Sequence, residues 1–386
     1  MRKKILHIPN YYPPHIGGIE DVCHSIVTAL PELEHQVICF HDQRQTVKET
    51  VEGIQVIRCS VWKKLFSQSV SFSFYRELKR IFRTFDPDIV HFHTPNPLSS
   101  VYLLLSLHRK TKLIVHWHSD IIEQNFLYFF YHPIESCLLE RADKIIATAP
   151  TYIPGSKPLQ FWRNKVSVIP NTVNESKLHK LEGDEKAIAE IKQLCGGKKI
   201  IFTFGRHVPY KGLKYLIEAA QLISEESVVV IAGKGPLSDS LKESAKNFSN
   251  IHFIGRLEEN TLRQYLYAAD VFAFPSITRN EAFGIALAEA MYCGLPAVTF
   301  TIANSGVNWL CLNEETGLES ENSNVQMFAN AINRILKDDV LRKQLGKNAH
   351  KRVKELFVSE SIKENLLNLY HTLNRHENRN FDNSTY

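Results

Sequence analysis

Short runs of apolar residues alternate along this chain with longer stretches in which apolar residues recur every three or four positions. The short runs have the length and β-branched content of buried strands, whereas the longer stretches have the period of amphipathic helices. This alternation predicts an α/β protein whose parallel sheets are built from strand–helix–strand units. The predicted strands are KKILHI, HQVICF, IQVIR, DIVHFH, KLIVHWH, KIIAT, KVSVIP, KKIIFTFG, SVVVIAG, IHFIG, DVFAFP and PAVTF.

Two series of these strands are separated by a polar, charged segment, PNTVNESKLHKLEGDEKA, which indicates a domain boundary. A chain of 386 residues is also long enough for two domains. We therefore expect one doubly wound domain over residues 1–175 and a second over residues 176–375. A helix predicted over residues 359–373 is available to pack back on the first domain, and residues 376–386 are expected to form a disordered tail.

The amino-acid composition indicates the class of protein to which this chain belongs. With 44% hydrophobic and 23% charged residues, the chain has the make-up of a soluble globular protein. Its beginning lacks the apolar run of a signal peptide, and no run approaches the ~18 apolar residues of a membrane-spanning helix. The seven cysteines are scattered without a C-x-x-C pair, which favours reduced thiols in a cytoplasmic protein over disulfides or a zinc site.

The segment EAFGIALAE places two carboxylates, Glu281 and Glu289, around the pair Phe283 and Gly284. Glu281 lies in the predicted loop after the strand DVFAFP, and Glu289 lies inside the helix that follows. Ligands bind at this edge of a parallel sheet, and a helix start attracts anions. Two carboxylates here suit a ligand with two polyol parts joined by phosphate, such as a nucleotide sugar. The alternative is that Glu281 caps the helix and Glu289 is a solvated surface residue.

This E-x(7)-E segment is similar to the signature of family 4 of the retaining glycosyltransferases. Five further segments match that family in the family's order over nearly the whole chain: YYPPHIGGIE, HSD, IPNTVN, GRHVPYKG and GKGP. The resemblance implies the GT-B fold, an α/β architecture of two facing Rossmann-like, doubly wound parallel-sheet domains with a deep interdomain cleft. It also implies a first domain that binds the acceptor and a second that binds the nucleotide-sugar donor.

The resemblance assigns roles to charged residues of the second domain. Arg206 and Lys211 in GRHVPYKG would hold the leaving diphosphate. Glu289 would bind the ribose, and Glu281 with the backbone of Phe283 and Gly284 would bind the sugar. From the residues alone, a solvated basic turn is the alternative for GRHVPYKG.

Two glycines, Gly17 and Gly18, are expected beside phosphate groups, because no side chain there keeps phosphate oxygens from backbone N–H groups. The resemblance places Gly17 and Gly18 of GGIE against the diphosphate and the acceptor, and Gly233 of GKGP in the nucleotide pocket. A plain turn is the alternative for GGIE. GKGPLS also resembles part of a nicotinamide-dinucleotide fingerprint, but Pro236 and Ser238 break that pattern, and we expect no cofactor.

The segments HFH and HWH each put two histidines on one face of a strand, at His91, His93, His116 and His118. Four imidazoles can bind zinc, but no carboxylates are arranged with them, and we expect no metal. The resemblance places His118 of HSD at the donor sugar and leaves the other three as structural residues. The DPD of residues 86–88 imitates a metal-binding D-x-D motif, but a proline-containing turn before a strand accounts for it.

Two segments depart from the family pattern. Thr172 in IPNTVN stands where the family commonly has glycine, and TIANSGVNW replaces a Gly-Gly loop with a following glutamate. The second loop contacts donor phosphate or sugar in the family, so the choice between a UDP-sugar and a GDP-sugar stays open.

Apolar and basic residues separate onto opposite faces of the helix predicted over residues 74–85. The apolar face comprises Phe74, Leu78, Ile81, Phe82 and Phe85, and the basic face Arg76, Lys79, Arg80 and Arg83. Residues 58–83 carry seven basic side chains against one acidic, in a chain of net charge +5. We interpret the basic face, together with the neighbouring WKKLF, as a surface for anionic lipid, and a solvated face is the alternative. No aromatic and basic motif typical of nucleic-acid binding is present.

The resemblance implies transfer of a hexosyl group from a nucleoside diphosphate sugar to a lipid-linked or saccharide acceptor, with retention at the anomeric carbon. The segment TIANSGVNWLCLNEETGL is similar to bacterial O-antigen and capsule enzymes, which implies surface polysaccharide synthesis at the inner face of the cell membrane. A GT-B nucleotide-sugar epimerase, which needs no acceptor, is one alternative. A non-catalytic nucleotide- or membrane-binding module is another, although it would not need the full set of donor residues.

Overall fold

The chain forms two compact units. The computed structural model describes residues 2–15, 17–65, 68–121 and 125–373. The first unit contains Met1–Ala147, Pro158–Ile169 and the chain from Lys363 onward, and the second contains Thr148–Lys157 and Pro170–Ile362. The expected tail, residues 376–386, lies outside the described residues.

All twelve predicted strands are confirmed, and the described residues add four strands that the apolar pattern did not reveal. The strands are β1 Lys4–Ile8, β2 Glu34–His41, β3 Val47–Val51, β4 Ile54–Ser60, β5 Lys63–Leu65, β6 Gln68–Val70, β7 Ile89–Thr94, β8 Lys112–Trp117, β9 Lys144–Ala147, β10 Val166–Val168, β11 Lys199–Phe204, β12 Ser227–Ala232, β13 Ile251–Gly255, β14 Val271–Phe274, β15 Ala297–Phe300 and β16 Gly317–Ser320. The four additions are β3, β5, β6 and β16.

The helices follow the predicted alternation. They are α1 Gly18–Ala29, α2 Phe72–Thr84, α3 Pro97–Ser106, α4 Asn125–Arg141, α5 Lys157–Phe161, α6 Glu175–Leu178, α7 Asp184–Leu194, α8 Leu213–Ala219, α9 Ser238–Ala245, α10 Glu259–Ala268, α11 Ile285–Tyr292, α12 Val307–Leu310, α13 Val325–Lys337, α14 Asp339–Leu356 and α15 Ser359–Thr372. Searched for a membrane span, the described part of the chain yields no helix that is both long enough and apolar enough.

The first unit is built on a sheet with strand order β10-β9-β8-β7-β1-β2-β4-β3. Every neighbouring pair is parallel except β3 with β4. The central strands β1, β7 and β8 are buried along nearly their whole length, which is why they appear in the sequence as continuous apolar runs. The order reverses between β1 and β7, so the loops after these strands border the switch point of this sheet.

The second unit is built on an all-parallel sheet with strand order β13-β12-β11-β14-β15-β16. One buried apolar cluster lies against it and includes Phe202, Phe272 and Phe300, one from each of three strands. This order reverses between β11 and β14. The two units thus confirm the predicted α/β architecture of parallel sheets.

Candidate functional site

The carboxyl edge of the second sheet gathers the residues predicted to bind the donor. Arg206 and Lys211 follow β11, and Glu281 follows β14, so the three residues flank the switch point between these strands. Open α/β sheets bind their ligands at such a point. Glu289 lies in the second turn of α11, the helix after β14, and is half-buried.

Lys211 and Glu281 form an ion pair between Nζ and Oε2. Ser276 Oγ donates a second hydrogen bond to the same carboxylate oxygen at 3.1 Å. The Lys211 ammonium also lies 5.1 Å from the centroid of the Phe274 ring, within reach of a cation–π contact. Burial has the largest single effect and lowers the pKa of Lys211, but the Glu281 carboxylate and Tyr210 together more than offset it, so the pKa is raised. Lys211 is therefore a fixed positive charge at neutral pH.

Arg206 and Lys211 line the same small cavity. The other lining residues are Thr203, Phe204, Gly205, Leu213, Phe274, Pro275 and Ser276. Arg206 is exposed, whereas Lys211 is held against the cavity wall by the contacts described above. Two cations in the loop after β11 form an arrangement that suits a diphosphate.

Gly233 allows the backbone of Gly205 to approach closely. Its φ is +117°, and a Cβ at this position would lie 1.9 Å from the carbonyl oxygen of Gly205. The loops after β11 and β12 therefore approach so closely that only glycine fits. Ser238 Oγ accepts a hydrogen bond from Gly235 N at 2.9 Å and lies 3.0 Å from His207 Nδ1. The serine that breaks the nicotinamide fingerprint thus closes this loop.

Phe283 and Gly284 offer backbone groups to the site. The Phe283 side chain is buried, with ring centroids of Trp309 and Phe357 at 6.4 and 5.5 Å. Gly284 caps α11 in the left-handed region, at φ +96°, and a Cβ there would lie 3.4 Å from the Phe274 ring. Helix starts leave N–H groups without intrahelical partners. The start of α11 therefore presents such groups three residues after Glu281, as the sequence predicts.

The loop after β15 holds the backbone of Glu281. Ser305 Oγ donates to the carbonyl oxygen of Glu281, and Gly306 N donates to that of Ala282 at 2.8 Å. A Cβ at Gly306 would lie 2.4 Å from the Ala282 oxygen, so glycine is required for this contact. Sequence reasoning noted this loop only as a departure from the family and missed both Ser276 and Ser305. The available signal was a Ser-Gly pair after a predicted strand at the edge that carries Glu281.

In the first unit, Gly17 is the N-cap of α1 and Gly18 is the first residue of that helix. A Cβ at Gly17 would lie 2.3 Å from Oε2 of Glu20, so glycine leaves room for that carboxylate. Glu20 is buried, and burial raises its pKa. The glycine pair therefore starts a helix whose first turn carries a buried acid, a feature that the sequence motif alone did not predict.

Arg58 anchors the loop that leads to this glycine pair. Its guanidinium donates to the carbonyl oxygen of Tyr12 at 2.8 Å and to that of Pro13, and its Nε donates to Glu49 at 2.6 Å. Arg58 is itself buried. Sequence reasoning counted Arg58 only as part of a basic segment, because its partners in the loop lie 45 and 46 positions away.

His118 belongs to a group of six buried histidines in the first unit, which are hydrogen-bonded in pairs. The pairs are His7 with His35 at 3.0 Å, His91 with His116 at 3.1 Å, and His93 with His118 at 3.0 Å. Burial lowers the pKa of every one of these imidazoles, to about 3 for His91 and His118. All six are therefore neutral at neutral pH. The pair of His91 and His116 joins β7 to β8, and the pair of His93 and His118 joins β7 to the residue after β8, where neighbouring rings also stack.

Some of these nitrogens lie close enough to share an ion. Across the described ranges, two groups have ligand atoms within 4.8 Å of one another: His7 with Cys23 and His93, and His91 with His93 and His116. Neither group contains a carboxylate. Burial raises the pKa of Cys23 and keeps it a thiol, whereas a metal ligand must be a thiolate. The expectation of no metal stays a prediction, and a measurement of metal content tests it.

Both carboxylates of the DPD motif have partners within the first unit. Asp88 Oδ2 accepts a hydrogen bond from Lys4 N at 2.8 Å and so joins the start of β1 to the turn before β7. Asp86 forms an ion pair with Lys110 at 3.0 Å. These contacts account for both carboxylates of the motif.

The two faces of α2 are used differently, as predicted. The apolar face is buried except for Phe85, which is half-buried, and the basic face is exposed, with Arg76, Lys79, Arg80 and Arg83 directed to solvent. Two large apolar side chains beside this helix are exposed as well: Trp62 at 71% and Phe72 at 72%, with ring centroids 6.0 Å apart. The core therefore accounts for the apolar face of α2, and the cations and the Trp62–Phe72 pair form a separate outer surface.

Family comparisons cover both halves of the chain. Residues 16–177 match the model of Glycosyltransferase Family 4, and residues 184–352 match the model of Glycosyl transferases group 1. The seven predicted site residues of the second unit, from Arg206 to Glu289, all lie inside the second match.

Individual relatives match over nearly the full length. The chain is 28% identical to O-antigen chain mannosyltransferase C of Escherichia coli over 375 residues, 96% of this chain and 98% of that protein. It is 28% identical to D-rhamnosyltransferase WbpZ of Pseudomonas aeruginosa over 362 residues, 92% of each chain. Among solved structures, HepE of Anabaena with UDP and glucose matches with a TM-score of 0.78 at 18% identity, covering 96% of this chain and 100% of that one. The chain therefore belongs to the GT-B glycosyltransferases, with a family 4 first half and a group 1 second half.

Proposed function

We propose that this glycosyltransferase moves a hexosyl group from a UDP- or GDP-linked sugar to a lipid-linked or saccharide acceptor, with retention at the anomeric carbon. The observation that carries the proposal is the Lys211–Glu281 pair beside Arg206 at the switch point of the second sheet. Two cations suit a diphosphate, and a carboxylate suits sugar hydroxyls. HepE, which shares the fold, was solved with UDP and glucose, a ligand pair of this chemistry.

Arg206 and Lys211 are proposed to act on the leaving diphosphate. Negative charge develops on the terminal phosphate as the bond to the sugar breaks, and cations already in place stabilise that charge without reorganising. Lys211 is in place because Glu281 and the Phe274 ring hold its ammonium. Glu289, on α11, is proposed to accept hydrogen bonds from the ribose.

The acceptor hydroxyl is proposed to attack from the face that the diphosphate leaves. A phosphate oxygen of the leaving group takes the hydroxyl proton, and the new glycosidic bond forms as the old one breaks. Configuration is thereby kept without a covalent link between sugar and protein. Glu281 already accepts hydrogen bonds from Lys211 and Ser276, which suits binding of sugar hydroxyls together with the backbone of Phe283 and Gly284, rather than nucleophilic attack.

Residues 1–175 are proposed to bind the acceptor, with Gly17 and Gly18 against the acceptor and the diphosphate, and residues 176–375 are proposed to bind the donor. His118 is proposed to hydrogen-bond the hydroxyls of the donor sugar. The O-antigen mannosyltransferase relative supports a role in bacterial surface polysaccharide synthesis, in O-antigen or capsule. The exposed cations of α2 support binding to an anionic membrane, with the protein peripheral at the cytoplasmic face. Pelleting with vesicles rich in phosphatidylglycerol at low salt tests this, and failure to pellet contradicts it.

Thermal unfolding of the purified protein with UDP, GDP and NAD tests the donor site. A ligand at ~100 times its Kd adds ~2.7 kcal/mol to the free energy of unfolding, which a melting curve resolves. We expect a rise in Tm with one nucleoside diphosphate and its loss in Glu289→Ala. A rise with NAD alone, or with none of the three, contradicts the proposal. The anomeric configuration of the product, read by NMR from a labelled donor, tests retention.

A further inference from the structure

The positions of protons in the histidine pairs can be worked out from their partners. Each pair shares one proton between two ring nitrogens, so a neutral imidazole that accepts at one nitrogen must carry its proton on the other. A buried N–H group without a partner is rare in proteins. Three nitrogens of this group are buried without a partner: His7 Nδ1, His93 Nε2 and His116 Nε2. Each of these nitrogens is therefore expected to carry no proton.

The pair of His7 and His35 checks this rule independently. His35 Nε2 lies 2.8 Å from the carbonyl oxygen of Leu30, which can only accept, so Nε2 carries the proton of His35. His35 Nδ1 is then bare and accepts from His7 Nε2–H at 3.0 Å. His7 consequently has its proton on Nε2, and its buried Nδ1 is bare. The hydrogen bond to the Leu30 carbonyl thus gives the same proton position for His7 as the rule for unpartnered nitrogens.

The same reasoning applies to His93 and His118. His93 Nε2 is bare, so the proton of His93 is on Nδ1, which lies 3.0 Å from His118 Nε2. His118 Nε2 therefore accepts, and the proton of His118 is on Nδ1. His118 is 8% exposed, and this second nitrogen is not among the buried atoms that lack a partner.

We propose that His93 is a positioning residue that fixes His118 as the Nδ1–H tautomer, so that His118 offers a hydrogen-bond donor to its ligand. The substrate group it meets is then an oxygen that accepts, either a sugar hydroxyl or a phosphate oxygen. The identity of that ligand rests on the proposed function, whereas the tautomer rests on the first unit alone. The stacked contacts of His118 with His93 and His116, at centroid distances of 5.2 and 4.2 Å, also fix the plane of the ring.

NMR of protein labelled with ¹⁵N-histidine tests the tautomer without any substrate. Two-bond ¹H–¹⁵N correlations distinguish Nδ1–H from Nε2–H rings, and the signals that disappear in His118→Gln assign His118. We expect an Nδ1–H ring in the wild type. An Nε2–H ring overturns the inference.

Variants test the positioning role. His93→Leu should remove the preference for Nδ1–H and lower kcat, while His93→Asn, whose amide N–H can replace the ring donor, should restore both. His116→Leu is the matched control, because it removes another buried ring stacked on His118 but no hydrogen bond to it, and the Nδ1–H signal should persist. An active enzyme whose kcat is unchanged in His93→Leu overturns the role of His93. If no transfer is detected in the wild type, the proposed function fails while the NMR result still decides the tautomer.

Discussion

Replacement of Glu281 by glutamine should separate stability, donor binding and turnover. The side chains of Lys211 and Glu281 are 16% and 10% exposed. Their pair therefore falls between exposed ion pairs, worth ~0–1 kcal/mol, and buried pairs, whose breakage costs ~3–5 kcal/mol. We expect Glu281→Gln to lower the free energy of unfolding by ~2–3 kcal/mol, because Lys211 stays largely buried without its counter-ion.

A bound nucleoside diphosphate replaces the missing negative charge beside Lys211. Its Kd for Glu281→Gln should therefore equal or fall below the wild-type value, since no carboxylate competes for the ammonium. Turnover should nevertheless fall by ~10²–10³-fold, as when one stabilising group is removed from an active site. Urea unfolding, calorimetric titration with UDP or GDP and initial rates at saturating donor measure the three quantities.

Two comparisons make this prediction sharp. Lys211→Met combined with Glu281→Gln removes both charges and should recover most of the stability lost in the single variant. The folded pKa of Lys211 is raised, so the contribution of the pair is complete below the unfolded pKa of about 10.4 and is lost as pH rises through the folded pKa. Wild-type kcat in Glu281→Gln would refute the catalytic assignment, and a large loss of nucleotide affinity would refute the competition between carboxylate and diphosphate.

Three further predictions concern the first unit. Burial raises the pKa of Glu135 to about 7, so its contribution to stability is present at acidic pH, and up to ~3 kcal/mol of unfolding free energy is lost as the pH rises through 7. Glu135→Gln should abolish this loss, which urea unfolding at pH 5 and pH 8 measures. Arg58→Met, which releases the loop before the glycine pair, should raise the acceptor KM by a larger factor than the donor Kd, because most donor contacts lie in the second unit; initial rates and calorimetry measure the two constants. Replacement of Arg76, Arg80 and Arg83 by glutamate should release the protein from phosphatidylglycerol vesicles at low salt, because each lost cation removes ~1 kcal/mol of attraction. Undiminished pelleting of this variant would exclude α2 as the docking surface.

The apolar pattern predicted most of the fold because the strands of both sheets are buried on two faces. The strands it missed lack that pattern. β3, with the sequence VKETV, lies at the edge of the first sheet, where alternate residues are exposed. β16, with the sequence GLES, is an edge strand of four residues, too short and polar to register as an apolar run.

The sequence predicted which charged residues belong to the donor site, but it did not predict the contacts between them. Motif positions identified Arg206, Lys211 and Glu281, yet the ion pair of the last two joins residues 70 positions apart and depends on β11 and β14 being neighbours. Ser276 and Ser305 carry no motif of their own. Their roles come from the packing of loops at one sheet edge, which a single sequence does not specify.

The return of the last helix to the first unit has a consequence for dissecting this protein. Lys3 donates hydrogen bonds to the carbonyl oxygens of Tyr370 and Leu373, and the buried Tyr370 hydroxyl lies 2.6 Å from His91 Nδ1. A fragment that stops at residue 175 would lose this cover over the histidine group and expose part of its own core. The two ends of the described chain also lie side by side, so a circular permutant that joins them through a short linker would keep α15 with the sheet it protects.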